Sequence, residues 1–445
     1  MATAVVWFRR DLRLGDNPAW SAGTGESQVC PLFVIDPQIY DRVSERRRVW
    51  LTTALHNLDH DLRARGGRLR VEVGEPRAVV PLVCSEMGAS AVHINNEVTP
   101  YGVARDRDVA ATVSLVGHDG VYLHAPGTIL TQEEQPYRVF TPFHRAWGNR
   151  PIELVDPPGS ARLTSDPGKG LPSVETPAPE TGESIAKGQL SAFLRRVDTY
   201  PTSRDRPDLD ATSRLSIALK YGTIGPRTIL EAVGTSTEGR LAFIRQLAWR
   251  DFYGHLMAMR PDTVNASMRP EYREIEWRND PEEIDAWERG MTGYPIIDAG
   301  MRQLATEGWI HNRVRMLIAS FLVKDLLVDW RVGERYLRRH LLDADVAQNV
   351  GNWQWVAGTG TDAAPYFRVF NPVTQSRRFD PDGVFIRRHV PELEGVRPAD
   401  IHAPWESPPL ELAASGVVLG VDYPFPIVDH ASARLEAIAA YERRS

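Results

Sequence analysis

The hydrophobic pattern of the chain changes near residue 187, and this change limits the folds that it can adopt. Up to about residue 125, short β-type runs alternate with helical stretches, which is typical of a parallel sheet covered on both faces. Strands are predicted at 4–8, 31–35, 68–73, 91–95 and 121–124. Helices are predicted between them at 44–65, 76–87 and 101–114. This part is therefore expected to be a doubly wound α/β domain with five parallel strands.

After residue 187 the strand signals nearly vanish and helical spacing dominates. Helices are predicted at 188–198, 213–221, 226–234, 238–260, 281–290, 295–306, 311–328 and 333–341. Residues 131–187 lose periodicity, and the stretch 155–183 within them is dense in Pro, Gly, Ser and Thr, a composition typical of linkers. The predicted organisation is an α/β domain at 1–130, a long linker at 131–187 and a large all-α domain at 188–445.

Charge and hydropathy argue against several classes of protein. The net charge of −6 gives no overall argument for nucleic-acid binding, so any DNA-binding surface must be local. The apolar run at 317–323 is far shorter than the roughly 20 residues of a membrane span, and the N-terminus lacks a signal-peptide pattern. Cys30 and Cys84 lie in apolar contexts and are expected to be buried thiols. We expect a cytosolic protein.

The segment 343–372 is unusually rich in polar and aromatic side chains, including Tyr366 and Phe367 near its end. Polar groups are costly to bury without partners, so this composition predicts a site. The chain has no Gly-x-Ser-x-Gly, Cys-x-x-Cys, His-Glu-x-x-His or P-loop motif, and no Gly-x-Gly-x-x-Gly turn after its first strand. We therefore expect chemistry from a bound organic cofactor and no metal site.

Three motifs in the helical part each allow two interpretations. ATSRLS (211–216) places hydroxyls and a cation before a helix, where they can hold phosphate, although local sequence alone favours an ordinary capped helix. QLAWRDFYGHL (246–256) is by itself more typical of core packing than of a site. HNRVRM (311–316) is by itself more typical of an exposed basic helix face. The residues alone do not decide between these interpretations.

Six motifs occur in the order, and roughly at the spacings, of the DNA photolyase/cryptochrome family. They are WFRRDLRLGDNPA, ATSRLS, LAWRDFY, GYPIIDAGMRQLATEGWIHNRVRM, FLVKDLLVDWR and VAQNVGNWQWVAGTGTDAAPYFRVFNP. The chain resembles this family over nearly its whole length, and most closely its class I cyclobutane pyrimidine dimer photolyases. The resemblance implies an α/β antenna-binding domain, a helical FAD domain, and light-driven electron transfer from reduced FAD to a dimer flipped out of DNA.

The resemblance also implies the residues that bind FAD. The matching positions are Tyr200, Thr212, Ser213, Arg214, Leu215, Ser216, Arg250, Asn312, Arg315, Asp343, Asp345 and Asn349. Arg315 and Asp343 resemble the family's ion pair beside the flavin ring. Asn349 matches the residue that faces flavin N5, where photolyases have Asn and many cryptochromes have Asp or Cys.

Further positions match the DNA-lesion site and the electron-transfer chain of the family. Lesion and DNA contacts match Gln246, Trp249, Arg313, Met316, Trp355 and Arg368. The tryptophans that conduct an electron from the surface to the flavin match Trp353, Trp330 and Trp277. The implied partner is UV-damaged DNA, duplex or single-stranded, bound by a monomer.

Two other functions within the family are alternatives to the repair of cyclobutane dimers. Gln246 stands where cyclobutane-dimer photolyases have Glu, and Gln is usual in (6-4) photolyases. Asn312 and Met316 stand where (6-4) photolyases have a His-rich motif, which favours cyclobutane dimers. A cryptochrome-type photoreceptor without repair is the other alternative. Asn349 and the pair Trp249 and Trp355 argue against it.

The segment NNEVTPYGVARDRD (95–108) bears on the antenna chromophore. Pro100, Tyr101 and Gly102 resemble the deazaflavin-binding branch, whereas folate binders tend to have Asn and Glu there. Thr99 replaces an acidic residue common in deazaflavin binders, and Glu97 keeps a charge nearby. The segment favours 8-hydroxy-5-deazaflavin over 5,10-methenyltetrahydrofolate.

Overall fold

The computed structural model describes residues 2–174, 179–362, 365 and 368–443, which group into two compact units. The first unit comprises Met1–Tyr200, Ser213–Pro261 and Leu342–Gln348. The second unit comprises Pro201–Thr212, Asp262–Leu341 and Asn349–Ser445. Each unit is thus assembled from separate segments of the chain. The domain boundaries at 130 and 187 stay a prediction.

A parallel sheet forms the centre of the first unit. Its strands are β1 (Thr3–Phe8), β2 (Gln28–Ile35), β3 (Arg70–Val73), β4 (Ala89–Asn95), β5 (Leu115–His118) and β6 (Arg162–Leu163). The strand order is β3-β2-β1-β4-β5, and β6 pairs with β2. The order turns back between β1 and β4, and sheets of this type bind ligands at the carboxyl ends of strands beside such a point.

Helices occupy most of the remaining chain. In the first half they are α1 (Pro18–Gly23), α2 (Pro37–Tyr40), α3 (Glu45–Arg63), α4 (Pro76–Met87), α5 (Pro100–Ala110), α6 (Phe140–Asn149), α7 (Glu183–Leu194), α8 (Tyr200–Ser203), α9 (Ser216–Tyr221) and α10 (Pro226–Val233). The others are α11 (Glu238–Met259), α12 (Pro281–Arg289), α13 (Pro295–Glu307), α14 (Asn312–Ser320), α15 (Trp330–His340), α16 (Val346–Ala357), α17 (Pro372–Phe379), α18 (Val384–His389), α19 (Pro409–Ala414) and α20 (His430–Glu442). A π-helical turn, Phe321–Asp325, follows α14. Among the described residues, no helix is long and apolar enough to cross a membrane.

Both faces of the sheet are buried, as its continuous apolar strands predict. On one face, Val6 and Phe8 of β1 belong to a core that includes Leu55 of α3. On the other face, Val5 and Trp7 belong to a core that includes residues of α4. The predicted doubly wound α/β part is therefore confirmed, and a mostly helical remainder follows it.

Cys30 of β2 and Cys84 of α4 belong to the core between the sheet and α4, and both are buried free thiols, as predicted. Burial raises the pKa of the Cys84 thiol to about 11.

The fifth strand was placed wrongly by the sequence pattern. It is Leu115–His118, an edge strand whose residues are half-buried or exposed, so its apolar signal is weak. The predicted strand 121–124 is irregular but buried. Its backbone N–H groups at Leu123 and His124 donate to the Asp251 carboxylate at 3.1 and 3.2 Å. A side chain thus satisfies groups that a strand would pair with a neighbouring backbone.

Residues 131–187 contain more structure than a linker composition predicts. Helix α6 lies within this range, and β6 joins the sheet through two residues. Helix α6 packs on α11 along its length, as described below. The weak periodicity of this range therefore concealed one helix, although that helix lies before the Pro- and Gly-rich stretch.

Candidate functional site

In the first unit, the polar loop before α9 has an unusual backbone. Arg214 has a φ of +52°, a left-handed conformation that non-glycine residues rarely adopt. The Ser213 hydroxyl accepts a hydrogen bond from the Leu215 N–H at 3.3 Å, and Leu215 is buried. Ser216 then begins the helix and is exposed. A strained turn with a guanidinium and hydroxyls is suited to holding phosphate oxygens.

Tyr200 lies in an aromatic pocket of the first unit. Its ring is perpendicular to the rings of Phe193 and Phe243, with centroids 5.8 and 5.4 Å away. The ring is buried, and these edge-to-face contacts fix its orientation.

A buried ion pair joins Asp345 to Arg10, which belongs to the motif after β1. Burial would raise the pKa of Asp345, but Arg10, Arg250 and Lys220 together lower it to about 2. The pKa of Lys220 is lowered as well, to about 7, because burial and the charge of Arg10 disfavour its protonated form. Sequence reasoning assigned Asp345 but missed Arg10, although the motif RRDLR contains it. Asp343 is also buried in the first unit.

Arg250, on α11, is held by three contacts. Its Nη1 donates to the Val121 carbonyl at 2.6 Å, and its guanidinium lies 4.6 Å from the centroid of the Tyr122 ring. Its own carbonyl accepts from Gln348 Nε2 at 2.8 Å. The irregular segment 121–124, which the sequence predicted as a strand, therefore holds Arg250, a residue predicted to lie in the flavin pocket.

In the second unit, the amide of Asn349 has a fixed orientation. Its Nδ2 donates to Oε1 and to the main-chain carbonyl of Glu334, at 2.9 and 3.0 Å. Glu334 is buried, which raises the pKa of its carboxyl despite a nearby Arg338. Because the amide nitrogen is used in this way, the side-chain oxygen of Asn349 points away from Glu334. Sequence reasoning missed Glu334.

The three predicted electron-transfer tryptophans lie in the second unit and differ in burial. Trp353 and Trp330 are buried, whereas Trp277 is partly exposed. The Trp353 ring packs on Gly333, where a Cβ atom would come within 2.2 Å of the ring. The Trp330 indole donates to Ser267 Oγ at 3.4 Å. The burial pattern agrees with a path from the surface inward, and the role itself stays a prediction.

The lesion-site candidates of the first unit lie on α11. The Gln246 amide donates to the Ala242 carbonyl at 3.1 Å, and its side chain is partly exposed. The partly exposed ring of Trp249 lies parallel to the ring of Phe140, which sequence reasoning missed.

The second unit holds the remaining candidates on several elements. Arg313 pairs with Asp205 at 2.9 Å and lies 4.3 Å from the centroid of the Phe379 ring. Asn312 Nδ2 lies 3.7 Å from the sulfur of Met316, which confirms that these side chains share a helix face.

Three more candidates lie elsewhere in the second unit. Arg315 Nε donates to the Ile310 carbonyl at 2.7 Å. Trp355 is partly exposed, and Arg368 is exposed with its guanidinium 5.6 Å from the Phe370 ring centroid. Tyr366 and Phe367 lie outside the described residues. Among the residues that the structure does describe, no three His, Cys, Asp or Glu side chains could hold a metal ion together.

Comparison with known proteins identifies the family. A family model described as DNA photolyase matches residues 4–159, and one described as the FAD binding domain of DNA photolyase matches residues 243–443. The deoxyribodipyrimidine photo-lyase of Halobacterium salinarum is 40% identical over 479 residues, covering 99% of this chain and 98% of the relative. The chain belongs to the DNA photolyase family. The resemblance drawn from the six motifs and the predicted enzyme class are confirmed.

Solved structures of photolyase relatives share the complete fold. A bacterial class III photolyase from Agrobacterium tumefaciens is 37% identical with a TM-score of 0.93, covering 100% of this chain and 98% of the other. A Synechocystis cryptochrome is 27% identical with a TM-score of 0.89, covering 100% of this chain and 99% of the other. These likenesses confirm the predicted fold class. The predicted monomeric state and cytosolic location stay predictions.

The residues of this photolyase fit the cofactor named in the family description. The loop at Arg214 supplies hydroxyls and a guanidinium suited to phosphates, and the fixed amide of Asn349 suits an uncharged ring edge. FAD is therefore confirmed as the cofactor, while the comparisons do not identify the antenna.

Asp345→Asn provides a test of the buried ion pair. The carboxylate of Asp345 has a depressed pKa, so it stabilises the fold above its unfolded pKa of about 4, and this contribution is lost as the pH falls towards 2. We expect the stability difference between wild type and Asp345→Asn to shrink by about 2 kcal/mol over this interval. Denaturant unfolding at several pH values measures it. A difference that stays constant down to pH 2 would contradict the assignment.

Proposed function

We propose that this photolyase repairs cyclobutane pyrimidine dimers in DNA by light-driven electron transfer. The observation that carries the proposal is the arrangement of α16 in the second unit. Asn349 and Trp353 are one turn apart and share a helix face, whereas Trp355 projects elsewhere. Trp353 is buried inside the unit, whereas Trp355 is partly exposed and remains accessible. One helix thus presents an amide, an internal tryptophan and an accessible tryptophan to different partners.

FAD, when bound and reduced, would supply the excited electron that splits the dimer, and the electron would then return to the flavin. The residues that would hold its phosphate and ribityl groups are Tyr200, Thr212, Ser213, Arg214, Leu215 and Ser216. Those that would hold its remaining groups are Arg250, Asn312, Arg315, Asp343, Asp345 and Asn349. Because Glu334 occupies the amide nitrogen of Asn349, the carbonyl oxygen is the group that this side chain would offer to the flavin edge. A neutral amide accepts a hydrogen bond without transferring a proton.

We assign lesion binding to Trp249 and Trp355, whose partly exposed rings can pack against two pyrimidines. Arg313 and Arg368 would contact DNA phosphates, and Met316 would contact the lesion from below. The ring of Phe379 and the carboxylate of Asp205 hold the guanidinium of Arg313 in place before DNA arrives. Local arginines of this kind reconcile DNA binding with an acidic chain.

The choice of cyclobutane dimers rests on helix α14. Asn312 and Met316 contact each other on its first turn, where a (6-4) photolyase would need the acidic group of a histidine. Gln246 favours the other lesion, but an amide can still donate to and accept from a pyrimidine edge. A photoreceptor function is the second candidate, because the fold is shared with a cryptochrome.

Illumination of the purified, chemically reduced protein tests the function. We expect an oligonucleotide with a cyclobutane dimer to be restored under blue light and to stay damaged in the dark. A (6-4) photoproduct in a parallel reaction provides the substrate control. Light-dependent flavin reduction without loss of either lesion would support the photoreceptor instead, and repair of the (6-4) photoproduct alone would overturn the choice of lesion.

Trp330→Phe separates photoreduction from repair. Phe is much harder to oxidise than Trp, so we expect light-driven flavin reduction to slow by at least an order of magnitude, while repair by chemically reduced enzyme is retained. Trp405→Phe is the matched control, because Trp405 lies in the same unit against Tyr294. Equal photoreduction in the two variants would refute the role of Trp330.

We further propose an 8-hydroxy-5-deazaflavin antenna at the carboxyl ends of β1 and β4. There the Trp7 ring lies 4.8 Å from the guanidinium of Arg9 and 5.0 Å from that of Arg105. Burial would raise the pKa of Glu97, but Arg105 and Arg9 lower it to about 2. An absorption spectrum of protein purified from its native host should show a deazaflavin band to the red of a folate band. A folate band would overturn this choice.

A further inference from the structure

Helix α6 contacts the lesion-site candidate Trp249 through an aromatic stack. The rings of Phe140 and Trp249 lie 3.7 Å apart between centroids with an interplanar angle of 7°. Phe140 is fully buried, and Trp249 is partly exposed. One face of the tryptophan is thus covered by a fixed ring, which restricts how the accessible part of Trp249 can turn.

Buried hydrogen bonds hold α6 in this position. The indole N–H of Trp147 donates to Asp251 Oδ2 at 3.0 Å, and the Trp147 carbonyl lies 3.1 Å from Nε2 of His124. Asp251 is two residues after Trp249 on α11. The same carboxylate therefore ties α6 to the helix that contains Trp249, so Phe140 is anchored by more than its own packing.

The neighbours of Phe140 restrict its ring as well. The guanidinium of Arg245, one turn before Trp249 on α11, lies 5.2 Å from the Phe140 ring centroid. The ring of His144, one turn later on α6, is 5.5 Å away and nearly parallel. Phe140 cannot change rotamer without disturbing contacts on both helices.

We propose that Phe140 is a positioning residue for lesion binding: its ring holds the plane of Trp249 in the orientation that a flipped dimer requires. The inference rests on the proposed lesion contact of Trp249. Without this stack, the partly exposed Trp249 would keep its edge and tilted contacts with Phe252 and Tyr253 but lose the ring that covers its face. It would then populate more orientations, and binding would have to select one of them. The loss should therefore appear in affinity for the lesion, because undamaged duplex makes no contact inside the lesion pocket.

Phe140→Leu tests the proposal, because Leu keeps an apolar side chain without a flat ring. We expect the Kd for a labelled dimer-containing oligonucleotide to rise about three- to tenfold, part of the usual effect of losing a base–aromatic stack. The Kd for the undamaged oligonucleotide should not change. Phe140→Tyr keeps the ring and should restore dimer affinity. Holoenzyme is used throughout, and binding is measured in the dark.

Phe143→Leu is the matched control. Phe143 is one turn away on α6 and equally buried, but its ring packs on Phe252 and His255. This variant should lose comparable thermal stability and keep its affinity for the dimer. Equal losses of dimer affinity in Phe140→Leu and Phe143→Leu, or no loss in either, would overturn the positioning role.

A double-mutant cycle with Trp249→Ala tests the lesion contact of Trp249 and the positioning role of Phe140 separately. If Phe140 acts through Trp249, Phe140→Leu should have no additional effect in the Trp249→Ala background. If Trp249→Ala leaves dimer affinity intact, the lesion contact assigned to Trp249 is wrong. If Trp249→Ala weakens binding and Phe140→Leu weakens it further by the full amount, the lesion contact stands and the positioning role of Phe140 is refuted.

Discussion

The carboxylate of Asp251 is the interaction on which much of the first unit depends. It is fully buried, and burial raises its pKa to about 6 although Trp147, Arg250 and two backbone N–H groups favour the ionised form. A buried carboxylate without such donors would cost several kcal/mol. By accepting hydrogen bonds from Leu123, His124 and Trp147, the carboxylate links the irregular segment 121–124 and helix α6 to α11. The residues on either side of it, including Arg250, therefore have fixed surroundings.

A comparable arrangement orients the chemistry of the second unit. Glu334 on α15 determines which end of the Asn349 amide is available, and Gly333 beside it leaves room for the Trp353 ring. These neighbours give α15 a supporting role for α16. The carboxylate of Glu334 thus orients one amide, and the absence of a side chain at Gly333 leaves space for one tryptophan.

The sequence predicted the long periodic elements well because their apolar spacing reports burial directly. Helices α3, α4 and α11 appear close to their predicted bounds, and β1 and β4 do also. The prediction of the fifth strand failed because Leu115–His118 is an edge strand with a weak apolar signal. Residues 121–124 are buried without forming a strand, and the Asp251 carboxylate accepts hydrogen bonds from two of their backbone N–H groups. Helix α6 was missed because the sequence around it shows little periodicity and leads into the Pro- and Gly-rich stretch 155–183. Motif matching named candidate site residues but not Arg10, Glu334 or Phe140, which contact three of them from distant positions in the chain.

The sequence by itself determined the family and the change from α/β to helical architecture, and it predicted the residues that face cofactor and lesion. These properties reside in ordered motifs and periodicity, which are local. Only the tertiary structure decided which end of the Asn349 amide is free to face a partner, what supports Arg250 and what covers Trp249. Each of these depends on a contact between residues far apart in the chain, such as Phe140 and Trp249 or Asn349 and Glu334. Local sequence contains no signal for such a pairing, because the geometry that creates it exists only after folding.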